Sequence, residues 1–371
     1  MRTACNSRYE PESTISCMMF SMLRANDRGL PPAIEMISCG EERGQGNLLG
    51  IQPWLTAADY CSAERLFSVL DGYFAAGKAA GWLNTGTVTV LPEYIGAWLA
   101  VAGEEEPVSR PSSMTRAMIA LVLRHPFAFL RQYLQAGEAR RAIAAIFRLK
   151  APSMAADYQR VFSQLAARYR VHLVAGSTIL PDPAIVNGAV VAGDGPLYNV
   201  SVLYAPDGRA ISPLVRKVFP TAEEQPFLAA GKVEDLPVFD TPAGWLGILI
   251  CADAWFPACY EQMHALGAEM IAVPSYGIHQ NLDDIWPGYS GYPPPADVDP
   301  ADIGHLTRRE AWRKYALEGR LPSSGAQLGL NVFLHGDFWE NTGSGQTVAI
   351  HGDATWECSK QGVGALVSLW R

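Results

Sequence analysis

Five short apolar runs constrain this chain more than any other feature of it. Leu48–Gln52 stops at Pro53, Thr87–Leu91 at Pro92, and Tyr198–Tyr204 just before a Pro206-Asp207-Gly208 turn; Trp245–Ile250 and Met270–Val273 follow. Short runs of aliphatic and β-branched residues with little polar alternation are strands covered on both faces. Further strands are expected at Val171–Leu180, Asn331–Leu334, Gln346–Ile350 and Gly364–Leu369. Between the runs the period changes. A helix capped by Thr56 or Asp59 should run to about Ala80, with Leu66, Leu70, Tyr73 and Phe74 on one face. Others are expected at Ser153–Tyr169, Pro257–Leu266 and Leu306–Glu318. Strands buried on both sides need helices as outer layers, so the expectation is an α/β layered fold. No period of 20–50 residues repeats.

Composition narrows the function classes. Of 371 residues 49% are apolar, enough for a sizeable core, yet no uninterrupted apolar stretch reaches the ~18 residues a bilayer span requires. The formal charge of −8 argues against a nucleic-acid partner. Cysteines at 5, 17, 39, 61, 251, 259 and 358 are odd in number and scattered, with no zinc spacing. They read as free thiols of a reducing, cytoplasmic compartment. Residues 1–46 hold five Arg and six acidic residues and no signal-like apolar core. They are expected to be an N-terminal extension, partly disordered or loosely docked, ahead of a domain at 47–371. The Asn199-Val200-Ser201 sequon then reads as an accident of composition.

Within that domain, about 101–150 stands apart. Met114–Lys150 carries seven basic residues against one acid, Glu138, interleaved with Met118, Ile119, Leu121, Val122, Phe127, Phe129, Leu130, Leu134, Ile143 and Ile146. That is a basic amphipathic helical insertion broken near Pro126. The expectation is that it packs on its own domain or a sister subunit, with Phe127, Phe129 and Leu130 turned from water; contact with a membrane surface is the alternative.

Three passages sit at strand ends and carry chemistry. Val90-Leu91-Pro92-Glu93-Tyr94 puts a carboxylate just past a buried strand. Val215-Arg216-Lys217-Val218-Phe219-Pro220-Thr221-Ala222-Glu223-Glu224 presents a lysine followed by two acids. Gly247-Ile248-Leu249-Ile250-Cys251-Ala252-Asp253-Ala254-Trp255-Phe256-Pro257 puts a thiol on a strand-to-helix turn, where helix-end N–H groups favour thiolate. Singly, each has a bland reading: a helix-capping Glu93, a solvated Lys217, a small core Cys251. His335-Gly336-Asp337 and His351-Gly352-Asp353 hint at a metal site, but Gly-Asp is ordinary turn chemistry and the structural reading is preferred.

The ordered set resembles the carbon–nitrogen hydrolase (nitrilase) superfamily. The likeness covers most of 47–371, including Leu49-Gly50-Ile51-Gln52-Pro53, the Tyr204–Arg209 turn and the Gly343-Ser344-Gly345 turn. It implies a four-layer α-β-β-α sandwich, here with a helical insertion, and a site without metal or cofactor. It implies Glu93 as general base, Lys217 as catalytic lysine and Cys251 as nucleophile. Counting past Pro220 selects Glu223 as the second glutamate, with Glu224 one residue away. Asp253 matches the family's acidic position two residues after the cysteine. Tyr94, Ala252, Trp255, Tyr276 and His279 are the candidate substrate-binding residues. The resemblance also suggests a homodimer or larger homo-oligomer and a small-molecule amide or nitrile substrate.

The chemistry is self-consistent. An amide carbonyl is a poor electrophile, so a thiol needs a base to take its proton and a cation to hold the oxyanion. The expected function is a thiol amidohydrolase that cleaves a linear amide or carbamoyl compound through a cysteine thioester. Many nitrilases have Trp-Glu after the cysteine; Ala252-Asp253 here tilts the expectation toward an amide. The alternatives are a nitrilase or an N-acyltransferase on the same scaffold.

Overall fold

The computed structural model describes residues 34–104, 113–278, 281–359 and 362–371 of the 371. Two sheets form the centre. The first runs Glu35–Cys39, Ala365–Trp370, Asn47–Gln52, Thr87–Val90, His172–Val174, Leu197–Tyr204, Ala210–Arg216, with Thr178–Pro181 also paired to Leu197–Tyr204. The second runs Val238–Thr241, Gly244–Ile248, Met270–Ser275, Leu328–Phe333, Val348–His351, Ala354–Glu357. Strand alternation places one set of side chains between the sheets and the other under helices. Leu48, Val88, Val90, Val174 and Leu203 of the first sheet meet Leu246, Ile248, Val273, Leu330 and Val332 of the second in one core. Gly50 lets the sheets approach: a Cβ there would meet Val332 at 3.1 Å and Leu330 at 3.2 Å.

Helices close both outer faces. Helix α1 (Ala63–Ala79) presents Leu66, Leu70, Tyr73 and Phe74 to the first sheet. After it come α2 (Met114–Arg124), α3 (Pro126–Gln135) and α4 (Arg141–Tyr169); α4 adds Tyr158, Phe162 and Leu165 to the same core. On the second sheet lie α5 (Pro257–Ala265), α6 (Arg308–Tyr315) and α7 (Leu317–Ser324), with Cys259, Met263, Leu317 and Leu321 turned inward. The layers run helix, sheet, sheet, helix: an α-β-β-α sandwich. Among the described residues no helix is long and apolar enough to cross a membrane.

Several expectations are corrected. Residues 1–33 lie outside the described residues, but Glu35–Cys39, assigned to the extension, is a strand in parallel register with Ala365–Trp370. Its five residues are too few to show a period, and what recruits them is the open edge of the last strand. Helix α1 starts at Ala63 with Ser62 capping the Arg65 N–H, while Asp59 binds the Arg65 guanidinium. The helix expected from Ser153 begins at Arg141 and runs through Pro152. The helix expected at Leu306–Glu318 is two helices meeting at Ala316.

The insertion does break where expected, with Pro126 opening α3 after His125. Its Phe127 and Leu130 are nevertheless 87% and 51% exposed, not turned from water; only Phe129 packs against the core. A ten-residue helix has one inward face, and α3 gives that face to Phe129.

Val171–Leu180, expected as one strand, is divided at Gly176, which has φ +61°. A Cβ on Gly176 would collide with the Pro92 carbonyl and with Ile95. Alanine there adds a left-handed backbone penalty to that collision. Gly176→Ala is expected to lower stability by ~3 kcal/mol, read as a shifted urea midpoint. Its activity should fall as well, because the displaced segment carries Glu93.

Candidate active site

Three strand ends deliver the polar groups to one place. Glu93 follows Thr87–Val90 by a Leu-Pro step, Lys217 directly follows Ala210–Arg216, and Cys251 follows Gly244–Ile248 by two residues. All three are buried, Glu93 to 1% exposure and Lys217 to 2%. Lys217 Nζ donates to Glu93 Oε1 at 2.8 Å and to Glu224 Oε2 at 2.7 Å. The Cys251 thiol donates to the Tyr276 carbonyl at 3.9 Å and sits close enough to Glu93 and Lys217 to feel both charges.

The second glutamate is Glu224, one residue from the expected Glu223. Glu223 is exposed and accepts a hydrogen bond from Ser290 Oγ at 3.3 Å. Glu224 also accepts the Thr221 N–H at 2.7 Å, and both the Glu224 and Gln225 N–H groups return to the Thr221 carbonyl. That turn aims residue 224, not 223, at the lysine. We expect Glu224→Gln to lower kcat by roughly 10²-fold or more while Glu223→Gln stays near wild type. Equal effects in a steady-state assay would refute the assignment.

Two further groups complete the cluster: one that sequence reading did not place in the site, and one for which it expected substrate contact. Asn199 Nδ2 donates to Glu93 Oε1 at 2.8 Å and to Glu224 Oε1 at 3.4 Å. Its sequon is indeed no glycosylation signal in this fold, since Asn199 is 1% exposed. The clue was an amide inside an apolar strand, which must find partners when buried. The second group is the hydroxyl of Tyr94, which donates to Glu224 Oε1. Tyr94 was expected to contact substrate; its hydroxyl instead positions the glutamate.

Electrostatics follow from this geometry. Burial, reinforced by the Glu224 charge, pushes the Glu93 carboxyl above the usual carboxylate range against the pull of Lys217. For Glu224 burial acts the same way, but Lys217, Tyr94 and the Thr221 N–H outweigh it and hold it low. Burial would discharge Lys217, yet Glu224 and Glu93 keep it firmly protonated. Burial and the Glu93 charge push the Cys251 thiol up, with Lys217 opposing. The helix-end N–H groups expected to favour thiolate are thus opposed by desolvation and by a neighbouring carboxylate.

Cys251 itself has φ +49°, a left-handed conformation that costs a non-glycine residue roughly 1–2 kcal/mol. Asp253 holds the turn. Its Oδ1 accepts the Val218 and Phe219 N–H groups at 2.9 and 2.8 Å, and its Oδ2 accepts the Ile250 N–H at 3.1 Å. One carboxylate thus ties the lysine segment to the cysteine segment.

The remaining expected residues divide. Tyr276 is buried, with its ring edge-on to Tyr94 at 5.9 Å and to Trp98 at 6.3 Å, beside the cysteine. Ala252 is half-buried next to the nucleophile. Trp255 packs on Trp286, Tyr289 and Trp312 in a cluster separate from that of Tyr276. His279 lies outside the described residues. His335 is a structural residue: buried, its Nε2–H donates to the Gly345 carbonyl and its Nδ1 accepts from Gln52 at 3.4 Å.

Comparison with known proteins bears on the same elements. The carbon-nitrogen hydrolase family model matches residues 120–296. A bifunctional nitrilase/nitrile hydratase of Lupinus angustifolius is 32% identical over 125 residues, 33% of this chain and 31% of that protein. Nitrilase 3 of Arabidopsis thaliana is 30% identical over 114 residues, 30% of this chain and 29% of that protein. The chain therefore spans about a third of the length of these curated relatives. Among solved structures, an amidase from Nesterenkonia sp. AN1, as a double mutant in complex with acrylamide, superposes with TM-score 0.51 at 14% identity. The superposition covers 89% of this chain and 93% of that one.

Proposed function

Since the chain belongs to the carbon–nitrogen hydrolase (nitrilase) superfamily, we propose that it is a thiol amidohydrolase that cleaves the C–N bond of a linear amide or carbamoyl compound. The observation that carries this reading is the single buried cluster of Cys251, Glu93, Lys217 and Glu224, contributed by three strand ends and the loop that follows Lys217.

In this mechanism the Cys251 sulfur attacks the substrate carbonyl carbon as its proton passes to Glu93. The oxygen becomes an oxyanion, stabilised by the Lys217 ammonium and the Ala252 N–H. Glu93 returns the proton to the nitrogen as the C–N bond breaks, which leaves an acyl thioester and a free amine or ammonia. Water then enters, gives a proton to Glu93 and attacks the thioester carbon. The C–S bond breaks, the carboxylic acid leaves, and the thiol is restored. A carboxyl with a raised pKa suits both roles, because it takes up a proton more readily than an ordinary carboxylate and can still give it back. Glu224 stays ionised and keeps Lys217 charged; Asn199 and Tyr94 keep both carboxylates in place.

The alternative is nitrile hydrolysis, the activity named for the plant relatives. Ala252-Asp253 favours the amide, because Asp253 is consumed by three backbone N–H groups and does not enter the reacting cluster. The unbridged thiols of Cys61, Cys251, Cys259 and Cys358 fit a reducing, cytoplasmic setting. The test is ammonia release from aliphatic, aromatic and carbamoyl amides and from the matching nitriles, run beside Cys251→Ala. Turnover of at least one amide class, abolished in the variant, is expected. Release from nitriles alone would replace the amidase reading, and release unchanged by Cys251→Ala would end it.

A further inference from the structure

Half of the exposed large hydrophobic residues among those described, six of twelve, lie between positions 119 and 134. Ile119 is 54% exposed, Leu123 73%, Phe127 87%, Leu130 51% and Leu134 68%. The spacing is 4 within α2 (Ile119, Leu123) and 3 and 4 within α3 (Phe127, Leu130, Leu134), so each helix carries an exposed apolar stripe on its side of the elbow at His125-Pro126. The fold does not require them outward or inward. Ala117 and Leu121 are buried on the opposite side, with Met118, Val122 and Phe129 packed against the core.

The charge around these stripes is opposite to that of the protein. Residues 114–150 have seven basic side chains and one acid, a net +6, so the remaining chain carries −14 (−8 minus +6). Arg131 lies four residues after Phe127 and three before Leu134, so it borders the stripe. Arg131, Arg140 and Arg141 are exposed. Among the described residues, Glu104 pairs with Arg124, His125 and Lys150, Glu138 pairs with Arg148, and the exposed Glu340 accepts the Met114 N–H.

We propose that the apolar face of α2 and α3 docks on an anionic lipid bilayer, with the phenyl and leucyl groups in the headgroup–acyl boundary and the arginines on lipid phosphates. A basic-rimmed apolar helix lying in the interface plane has this pattern, and long arginine stems let the charge reach the headgroups while the stripe is immersed. A second copy of this chain fits less well. A two-fold contact through this face would set the exposed Arg131, Arg140 and Arg141 of one copy against those of another, whereas an anionic leaflet neutralises them. The hairpin is also fastened to the catalytic loop. The Arg140 N–H donates to the Pro226 carbonyl at 3.0 Å, and Phe147 stacks on Phe227, so docking sets the bilayer beside the segment that carries Glu224.

The test is co-sedimentation of the full chain with vesicles of phosphatidylcholine alone and with about 30 mol% phosphatidylserine. Binding to the anionic vesicles should be roughly tenfold tighter or more, and should weaken as salt rises. Leu123→Ser/Phe127→Ser/Leu134→Ser should lose it with an unchanged melting temperature, because these side chains are exposed. Arg131→Glu/Arg140→Glu should lose the anionic preference. Absence of binding to anionic vesicles would overturn the proposal, as would binding that survives the triple variant. A wild-type dimer without vesicle affinity, split by the triple variant in light scattering, would assign the face to a second copy and overturn it too. The result stands apart from catalysis: vesicle binding without amide turnover supports docking and counts against the hydrolase reading alone.

Discussion

Lys217→Met is expected to lower stability by ~3–5 kcal/mol and to abolish turnover. The ammonium is 2% exposed and is shared by two carboxylates at 2.8 and 2.7 Å. Removing it leaves Glu93 and Glu224 buried together without their cation, and desolvation and mutual repulsion then act unopposed. One carboxyl must take up a proton, so the loss should be smaller at low pH and larger at high pH. Lys217→Met/Glu224→Gln should recover part of the stability, because one charge has gone, but none of the activity. Urea denaturation of the two variants decides this. A loss under about 1 kcal/mol for the single variant would mean that the ion cluster is not the closed, dry arrangement described.

Glu93→Gln is expected to reduce kcat/KM by ~10²–10⁴ with little change in fold, since glutamine keeps the shape and one acceptor for Lys217 and Asn199. The pH profile gives an independent reading. Glu93 must be ionised to take the thiol proton, so wild-type activity should fall as pH drops through its apparent pKa. Burial and Glu224 raise that pKa, so the acid limb should lie above the range of an ordinary carboxylate. In Glu224→Gln the limb should move to lower pH. One contribution that raised the Glu93 pKa is removed, and Lys217 is left to a single carboxylate. The two glutamates interact closely enough for the limb to belong to the pair in the wild type, which makes the direction of the shift the informative quantity. Iodoacetamide labelling of Cys251 should slow in Glu93→Gln while the exposed Cys61 labels at its usual rate. A limb unmoved in Glu224→Gln would show that another group is the base.

Much of the site was legible because its residues are tied to strand ends. Glu93 and Cys251 each follow an apolar run, and a buried strand fixes where its last residue emerges; Lys217 follows the half-exposed strand Ala210–Arg216 and was legible only as part of the ordered set. Glu224 was not legible. It lies in a loop where consecutive side chains point in different directions, and the turn at Thr221 that selects 224 over 223 leaves no periodic trace. Asn199 was read only as part of a sequon, because its two partners are 106 and 25 positions away. The opposition that Cys251 meets was also out of reach: a turn beside a helix favours thiolate, but the Glu93 carboxylate that counters it arrives from another strand.

The alternation of apolar and polar residues, the strand-terminating prolines and the order of the three reactive residues were set by the sequence itself. Those are local properties, decided by side-chain volume and backbone restriction within a few positions. The tertiary structure decided what depends on distant partners. It joined Glu35–Cys39 to the edge of Ala365–Trp370, extended α4 back to Arg141, and chose Glu224 over Glu223. It also left the stripes between Ile119 and Leu134 facing outward. An amphipathic pattern states that one face is apolar; only the packing of Ala117, Leu121 and Phe129 against the core shows that a second apolar face is left over.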